Sequence, residues 1–136
     1  MRDVQVTVLG SAQDGGVPQP GCTQECCIRV RENAALRRHP VSLGIVGSDG
    51  STHLIEASRA LGAQFEIWHT MDSVKGELDS LSVTHAHLGH VDGLGLFGKE
   101  AMGVSNLTIH CSQSVADLIE ANPLWKSMRV QGVIVP

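Results

Sequence analysis

The most informative stretch of the sequence is Thr84-His85-Ala86-His87-Leu88-Gly89-His90-Val91-Asp92-Gly93. It places three histidines within six residues, directly after a short β-prone run. Histidines at positions i and i+2 of a strand point to the same side, and a turn at Gly89 lets His90 swing back toward them. Neutral imidazole is the commonest side-chain metal ligand, and three imidazoles can hold a metal with one position left open for water. The spacing therefore predicts a metal site formed by His85, His87 and His90.

A polar loop with coincidental histidines is the alternative interpretation of this motif. Seven histidines in 136 residues give the H-x-H-x-x-H spacing by chance in roughly one such chain in fifty, which is a tolerable false-positive risk. The context favours the metal site, because the motif follows the carboxyl end of a predicted strand and precedes Gly93 and an apolar run.

The segments on either side of the motif alternate between strand-like and helix-like patterns. Strands are predicted at Val4 to Leu9, Val41 to Val46, Thr52 to Ile55, Leu81 to Thr84, Leu107 to His110 and Val130 to Val135, and helices at about Ile28 to Arg38, at Ser58 to Trp68 and from a Ser112 cap through Glu120. This alternation indicates an α/β fold, and the Asp49-Gly50 turn of a hairpin makes its sheet mixed. No repeat or linker divides residues 1–136, so we expect a single domain.

Composition and charge disfavour several classes of partner. The net charge is −4 and no basic cluster is longer than Arg37-Arg38, which disfavours nucleic acid, because phosphate binding needs a basic face. No apolar run reaches the roughly 18 residues of a membrane span. The first residues alternate like a strand and do not form a signal peptide, so we expect a cytoplasmic protein with a small-molecule substrate, whose four cysteines are thiols or metal ligands.

At the histidine motif the sequence resembles the superfamily of metallo-β-lactamase-fold hydrolases, whose signature is H-x-H-x-D-H after a strand. Within that superfamily it is most similar to the pyrroloquinoline-quinone biosynthesis protein B-like branch. The likeness lies in Val8 to Ala12 followed by Gly15-Gly16 and Pro18-Gln19, in the cysteine cluster, in Leu54 to Ser58 and in Thr108 to Ser112. It spans nearly the whole chain in the same motif order, and it implies a mixed sheet with flanking helices, the N-terminal half of an αββα fold.

Two positions depart from the superfamily pattern. The signature's Asp falls on Gly89, which removes a ligand of the second metal site, and a strand-end Asp falls on Glu56, which moves the charge about one methylene further out. The resemblance also implies a later His and Asp from residues beyond Pro136. We therefore expect a truncated domain that is incomplete as a catalyst and that forms homo-oligomers or is poorly soluble, because its apolar sheet face is uncovered. In the full-length protein we expect one tightly bound metal at the histidine motif and not a bridged pair.

Three thiols lie within six residues in Cys22-Thr23-Gln24-Glu25-Cys26-Cys27. In the branch that the sequence resembles, a cysteine-rich loop at this place binds a structural zinc, which implies the same for Cys22, Cys26 and Cys27, with Cys111, His39 or a later residue as the fourth ligand. Adjacent cysteines cannot easily both reach one metal, and free thiols are the alternative.

The predicted function is metal-dependent hydrolysis. Zinc, or iron or manganese, held by the three histidines would lower the pKa of bound water to about 7 and deliver hydroxide to an ester, phosphoester or amide. Asp14 and Asp92 are acidic groups that could approach the metal from behind its ligands, although Asp in glycine-rich loops usually makes turns. Of the two, Asp92 is kept as a catalytic candidate. The alternatives are a non-hydrolytic accessory or redox protein of pyrroloquinoline quinone biosynthesis, and an inactive half-domain.

Overall fold

The computed structural model describes residues 3–71, 74 and 77–136. Within these ranges six strands form one sheet in chain order: β1 (Gln5–Gly10), β2 (Ser42–Val46), β3 (Thr52–Ile55), β4 (Ser80–Ser82), β5 (Leu107–His110) and β6 (Ile134–Val135). The pairs β1–β2 and β2–β3 are antiparallel, and the three remaining pairs are parallel. The predicted mixed sheet is confirmed.

Helices provide the crossovers that parallel strands require. The helices in the described part of the chain are α1 (Glu25–Glu32), α2 (Leu61–Met71), α3 (Leu88–Val91), α4 (Gln113–Ala121) and α5 (Pro123–Val130), with 3-10 turns at Ala34–Leu36 and Leu94–Phe97. Of these, α1 lies between the antiparallel strands β1 and β2, and the others follow β3, β4 or β5. Among the described helices, none has the length and apolar character needed to cross a bilayer.

One face of the sheet carries the hydrophobic core. Leu54, Leu81 and Ile109 are neighbours across β3, β4 and β5 and are nearly inaccessible to solvent. The fully buried Trp68 of α2 packs over Gly44, where an added Cβ would lie 2.4 Å from the indole. Glycine at this position therefore allows α2 to approach the sheet closely and to close the core.

The opposite face of the sheet is much less covered, and we call it the open face. Residues paired across a ladder share a face, which places on it the apolar Val6, Val8, Leu43, Ile45, Ile55 and Val135 and the polar His53, Ser80, Ser82, Thr108 and His110. Val6 and Val8 of the edge strand β1 are 59% and 62% exposed. An apolar stripe of this kind at a sheet edge is typical of a surface that another layer covers.

Two predicted helices have different bounds in the structure. The predicted helix from Ile28 to Arg38 instead ends at Glu32, because the Asn33 side chain accepts the N–H of Ala35 and begins a 3-10 turn. The helix predicted from Ser58 begins at Leu61.

The end of the described chain contains a helix that the sequence analysis missed. Pro123 follows α4 but also occupies the first turn of α5, where a missing N–H costs nothing. The Asn122 side chain accepts the N–H groups of Leu124 and Trp125 and caps this helix. The strand predicted from Val130 to Val135 is therefore reduced to Ile134–Val135.

Candidate metal centre

The histidine motif lies at the edge of the sheet where three parallel strands end. It follows β4, whose neighbours β3 and β5 end beside it, and backbone hydrogen bonds extend the ladder past the strand ends. Glu56 N–H donates to the Ser82 carbonyl, and Val83 N–H donates to the carbonyl of His110, both at 2.9 Å. Side chains that follow β3 and β4 are therefore brought to one place.

The structure brings the three predicted histidines together. The ring centroids of His85 and His87 are 4.6 Å apart, and those of His85 and His90 are 3.9 Å apart. The short helix α3 turns the chain after His87, whose carbonyl accepts the N–H of His90 at 3.0 Å. His85 and His87 are exposed, whereas His90 is buried with 8% of its surface accessible.

These rings are close but do not yet form a ligand set. Among the described residues, no group of three or more His, Cys, Asp or Glu side chains is arranged to hold a metal ion as it stands. The chemistry of the donors nevertheless fits a divalent cation, because three imidazoles and two carboxylates meet here. Ligation by His85, His87 and His90 stays a prediction.

Glu56 places a buried carboxylate beneath the motif. Only 3% of the residue is exposed, and its Oε2 lies 3.0 Å from His90 Nδ1 in an ion-pair contact whose direction is not that of a hydrogen bond. The backbone N–H of Thr84 donates to the same carboxylate at 3.3 Å. Glu56 adopts a φ of 70°, a conformation that costs on the order of 1–3 kcal/mol in a non-glycine residue. The surrounding contacts therefore hold this carboxylate against His90.

Asp14 brings a second carboxylate to the motif, although its glycine-rich surroundings had favoured a turn residue over a group near the metal. Its Oδ2 accepts the N–H of Gly89 at 3.0 Å, and its Oδ1 lies 3.5 Å from His90 Nε2. The Gly89 N–H holds the pKa of the Asp14 carboxyl below its usual value; desolvation opposes this effect, and the three neighbouring histidines reinforce it. The contact joins residues 75 positions apart, so no local spacing could have revealed it. In the sequence, the sign of this contact was the absence of a side chain at Gly89, which leaves room for Asp14.

Asp92, the candidate catalytic residue, contacts Arg59. The Arg59 Nε donates to Asp92 Oδ2 at 2.9 Å, and Asp92 Oδ1 is buried without a hydrogen-bond partner among the described residues. The carboxylate is therefore engaged by a cation, and the catalytic role of Asp92 stays a prediction.

The three cysteines of the predicted structural zinc site occupy different environments. Cys26 and Cys27 are consecutive in the first turn of α1, with their sulfurs 4.0 Å apart. Cys27 is buried and accepts the N–H of Gln19 at 3.3 Å, whereas Cys26 is exposed and Cys22 is half-buried. These thiols form no ligand set within the described part of the chain, and zinc binding by Cys22, Cys26 and Cys27 stays a prediction.

The proposed fourth ligands of the cysteine cluster lie in different places. His39 lines a cavity of about 610 Å³ together with Cys26 and three arginines of the same region. Cys111 instead follows β5 and packs against the main core, where burial raises the pKa of its thiol. Of the two, only His39 shares a cavity with a residue of the cluster. This cavity lies beside the cysteines and does not include the histidine motif.

The sheet, the helices and the histidines at the strand ends define a metallo-β-lactamase fold. Zinc-bound PqqB from Methylobacterium extorquens matches 95% of this chain with a TM-score of 0.76 and 21% identity, over 44% of its own length. A diphosphatase from the PhnP family matches 97% of this chain with a TM-score of 0.69 and 20% identity, over 48% of its length. Human tRNase Z, short form, matches 93% with a TM-score of 0.55 and 18% identity, over 39% of its length.

Sequence comparison points to one of these branches. Coenzyme PQQ synthesis protein B of Xanthomonas campestris pv. campestris is 29% identical over 96% of this chain, and the same protein of Xanthomonas oryzae pv. oryzae is 27% identical over 96%. The chain spans 44% of the length of each of these relatives. No protein-family model matches the chain. The resemblance to the metallo-β-lactamase superfamily and its pyrroloquinoline-quinone branch is confirmed.

Proposed function

We propose that the protein is a metal-dependent hydrolase in which His85, His87 and His90 hold a divalent cation. The observation that carries this proposal is that the ring of His85 lies 4.6 Å from that of His87 and 3.9 Å from that of His90 at the strand ends. A buried carboxylate lies 3.0 Å from His90. Imidazole ligands suit zinc and iron, and carboxylates suit manganese. The structure of PqqB from M. extorquens contains zinc, so zinc is the first metal to test.

The chain's own residues would prepare the site for hydrolysis. When bound, the ion supplies a Lewis acid that polarises the scissile oxygen of an ester, phosphoester or amide and lowers the pKa of a water molecule to about 7. Glu56 orients the imidazole of His90 and increases its basicity, as carboxylates behind metal-binding histidines do. His85 and His87 are exposed, so a small-molecule substrate reaches them from solvent. A cytoplasmic location stays a prediction.

Zinc-dependent turnover tests the hydrolase proposal. The purified chain is freed of metal with a chelator, reloaded with zinc, and assayed with bis(4-nitrophenyl) phosphate, 4-nitrophenyl acetate and a 4-nitroanilide. If this chain suffices for catalysis, one of these substrates is hydrolysed in a reaction that disappears with the chelator, returns with zinc and is absent from the His85→Ala/His87→Ala variant. Zinc bound through the histidines without turnover of any substrate would instead favour the inactive half-domain.

A second candidate is an accessory role in quinone cofactor biosynthesis. It is favoured by the sequence likeness to coenzyme PQQ synthesis protein B along 96% of the chain. The chain would then restore cofactor production to bacteria that lack that protein, without turnover of the model substrates. A redox role requires iron or copper, so zinc as the metal of the protein as purified would exclude a redox function, whereas copper would exclude the proposed hydrolase.

A further inference from the structure

We infer that Asp14 supplies, from the N-terminal loop, the metal-binding carboxylate that the signature motif lacks at Gly89. The inference rests on the proposed function and extends it, because it assigns a ligand that lies far from the motif in sequence. It also removes the reason for expecting a single metal, which was that the second site had lost its carboxylate.

The first argument is that Asp14 and a side chain at position 89 exclude each other. A Cβ added to Gly89 would lie 2.6 Å from the Cα of Asp14 and 2.7 Å from its Cβ and Cγ, and real Cβ atoms do not come so close. Position 89 is where the superfamily signature carries its Asp. The Asp14 side chain therefore fills the space next to the motif that the signature's own carboxylate would enter.

The second argument is the separation between the Asp14 carboxylate and His90. Two ligand atoms that bind one tetrahedral zinc ion, each about 2.1 Å from it, lie about 3.4 Å apart. Asp14 Oδ1 and His90 Nε2 are 3.5 Å apart. Glu56 occupies the other side of the same ring, 3.0 Å from Nδ1. His90 therefore presents Nε2 toward Asp14 while Glu56 stands behind it, which is the arrangement of a metal-binding histidine and its supporting carboxylate.

The third argument is that the backbone fixes the loop that carries Asp14. Ala12 N–H donates to the His39 carbonyl at 2.9 Å, and Val17 and Arg38 exchange two backbone hydrogen bonds at 2.8 and 2.9 Å. These contacts lie on both sides of Asp14 and tie the loop to the segment before β2. The Gly89 N–H then fixes one carboxylate oxygen, which leaves the other beside His90.

A pair formed by a protonated His90 and the two carboxylates, without any metal, explains the same distances. The two explanations differ in what the negative charge of Asp14 does. In a metal site the charge binds the ion, whereas in the metal-free pair it stabilises only the fold. Zinc affinity and metal-free stability, measured on the same variants, therefore separate them.

The experiment is a zinc titration of the full chain against a chromophoric competitor chelator. The variants are Asp14→Asn, Asp14→Glu and His85→Ala/His87→Ala, with Asp117→Asn as the control for loss of an exposed carboxylate whose contact is to Gln113. Urea unfolding of each metal-free variant is measured in parallel. Asn retains an oxygen that can accept the Gly89 N–H, so we expect the metal-free stability of Asp14→Asn to stay near that of the native chain.

We expect Asp14→Asn to lower the affinity of a histidine-dependent zinc equivalent at least about tenfold, since even supporting residues of metal sites contribute that much. Asp14→Glu retains the charge and should lose less, and Asp117→Asn should lose nothing. Native affinity in Asp14→Asn, or equal losses in Asn and Glu, overturns the inference. If the histidine variant loses its zinc while Asp14→Asn keeps it, only Asp14 is misassigned. If the histidine variant keeps its zinc, the proposed function fails as well.

Discussion

The histidine cluster and the cysteine cluster both place three side chains of a kind that can bind metals within six residues, yet the fold gives them different surroundings. The histidines leave a strand at an edge where other strands also end, so Glu56 and Asp14 reach them from distant parts of the sequence. Cys26 and Cys27 instead lie side by side in the first turn of a helix, one exposed and one buried. Spacing along the chain is therefore informative mainly where strand ends gather residues from several elements.

The largest effect expected from this comparison concerns the histidines themselves. His85→Ala/His87→Ala removes two imidazoles and should abolish zinc binding at the histidine cluster, while any metal at the cysteines remains. The measurement is zinc stoichiometry after desalting, with His53→Ala/His69→Ala as the control for two remote histidines. Unchanged zinc content in the His85→Ala/His87→Ala chain would refute the assignment.

A smaller effect should follow from one methyl group at Gly89. Gly89→Ala places a Cβ against the Asp14 backbone, and such overpacking costs about 1–3 kcal/mol of unfolding free energy. It also pushes Asp14 away from His90, so zinc affinity should fall with stability. Urea unfolding and zinc titration measure the two effects.

Gly62→Ala is the matched control for that substitution. Gly62 lies in α2 with no atom within 4 Å of an added Cβ, so alanine there should raise stability by about 0.5–1 kcal/mol and leave zinc affinity unchanged. If Gly89→Ala behaved like Gly62→Ala, the close packing of Asp14 on Gly89 would be disproved.

We expect the negative charge of Glu56 to increase the zinc affinity of the histidine cluster. Glu56→Gln preserves the size of the side chain but removes the charge beside His90, and we expect about a tenfold loss of zinc affinity. Glu66→Gln, on the exposed side of α2, is the control. Equal affinities in the two variants would show that Glu56 does not support the metal site.

The smallest effect should come from the cysteine cluster. Replacing Cys22, Cys26 and Cys27 by Ser should leave the histidine-dependent zinc equivalent unchanged, because the two clusters share no contact among those described. A second zinc equivalent that disappears only in this variant would establish the structural zinc site. A loss of histidine-dependent zinc would instead show that the clusters are coupled.

The sequence was sufficient to predict elements whose signals are local. The hairpin strands β2 and β3 and the strand β5 lie where hydrophobic alternation and an Asp-Gly turn place them. The helix α5 was missed because Pro123 was taken as the end of one helix, although proline is also favoured in the first turn of a helix. Signals that end one element and begin another are ambiguous without the tertiary structure.

The candidate site shows the same limit more sharply. The three histidines were predicted because they occupy one short stretch, whereas Glu56 was noted only as a departure from the strand-end Asp of the superfamily. Asp14 was considered as a group near the metal and then set aside in favour of Asp92, because its position depends on how the N-terminal loop is hydrogen-bonded to the segment before β2. Neither hydrophobic periodicity nor motif spacing contains that information.

The open face of the sheet has a consequence for the thermodynamics of the chain. Two copies that pair through Val6, Val8 and Ile45 would bury apolar surface that one copy leaves in water, at about 25 cal/mol per Å². Only folded chains can pair in this way, so mass action would couple folding to association, and the apparent unfolding temperature would rise with protein concentration. Val6→Thr/Val8→Thr should weaken that dependence, which thermal unfolding across a hundredfold dilution series would reveal.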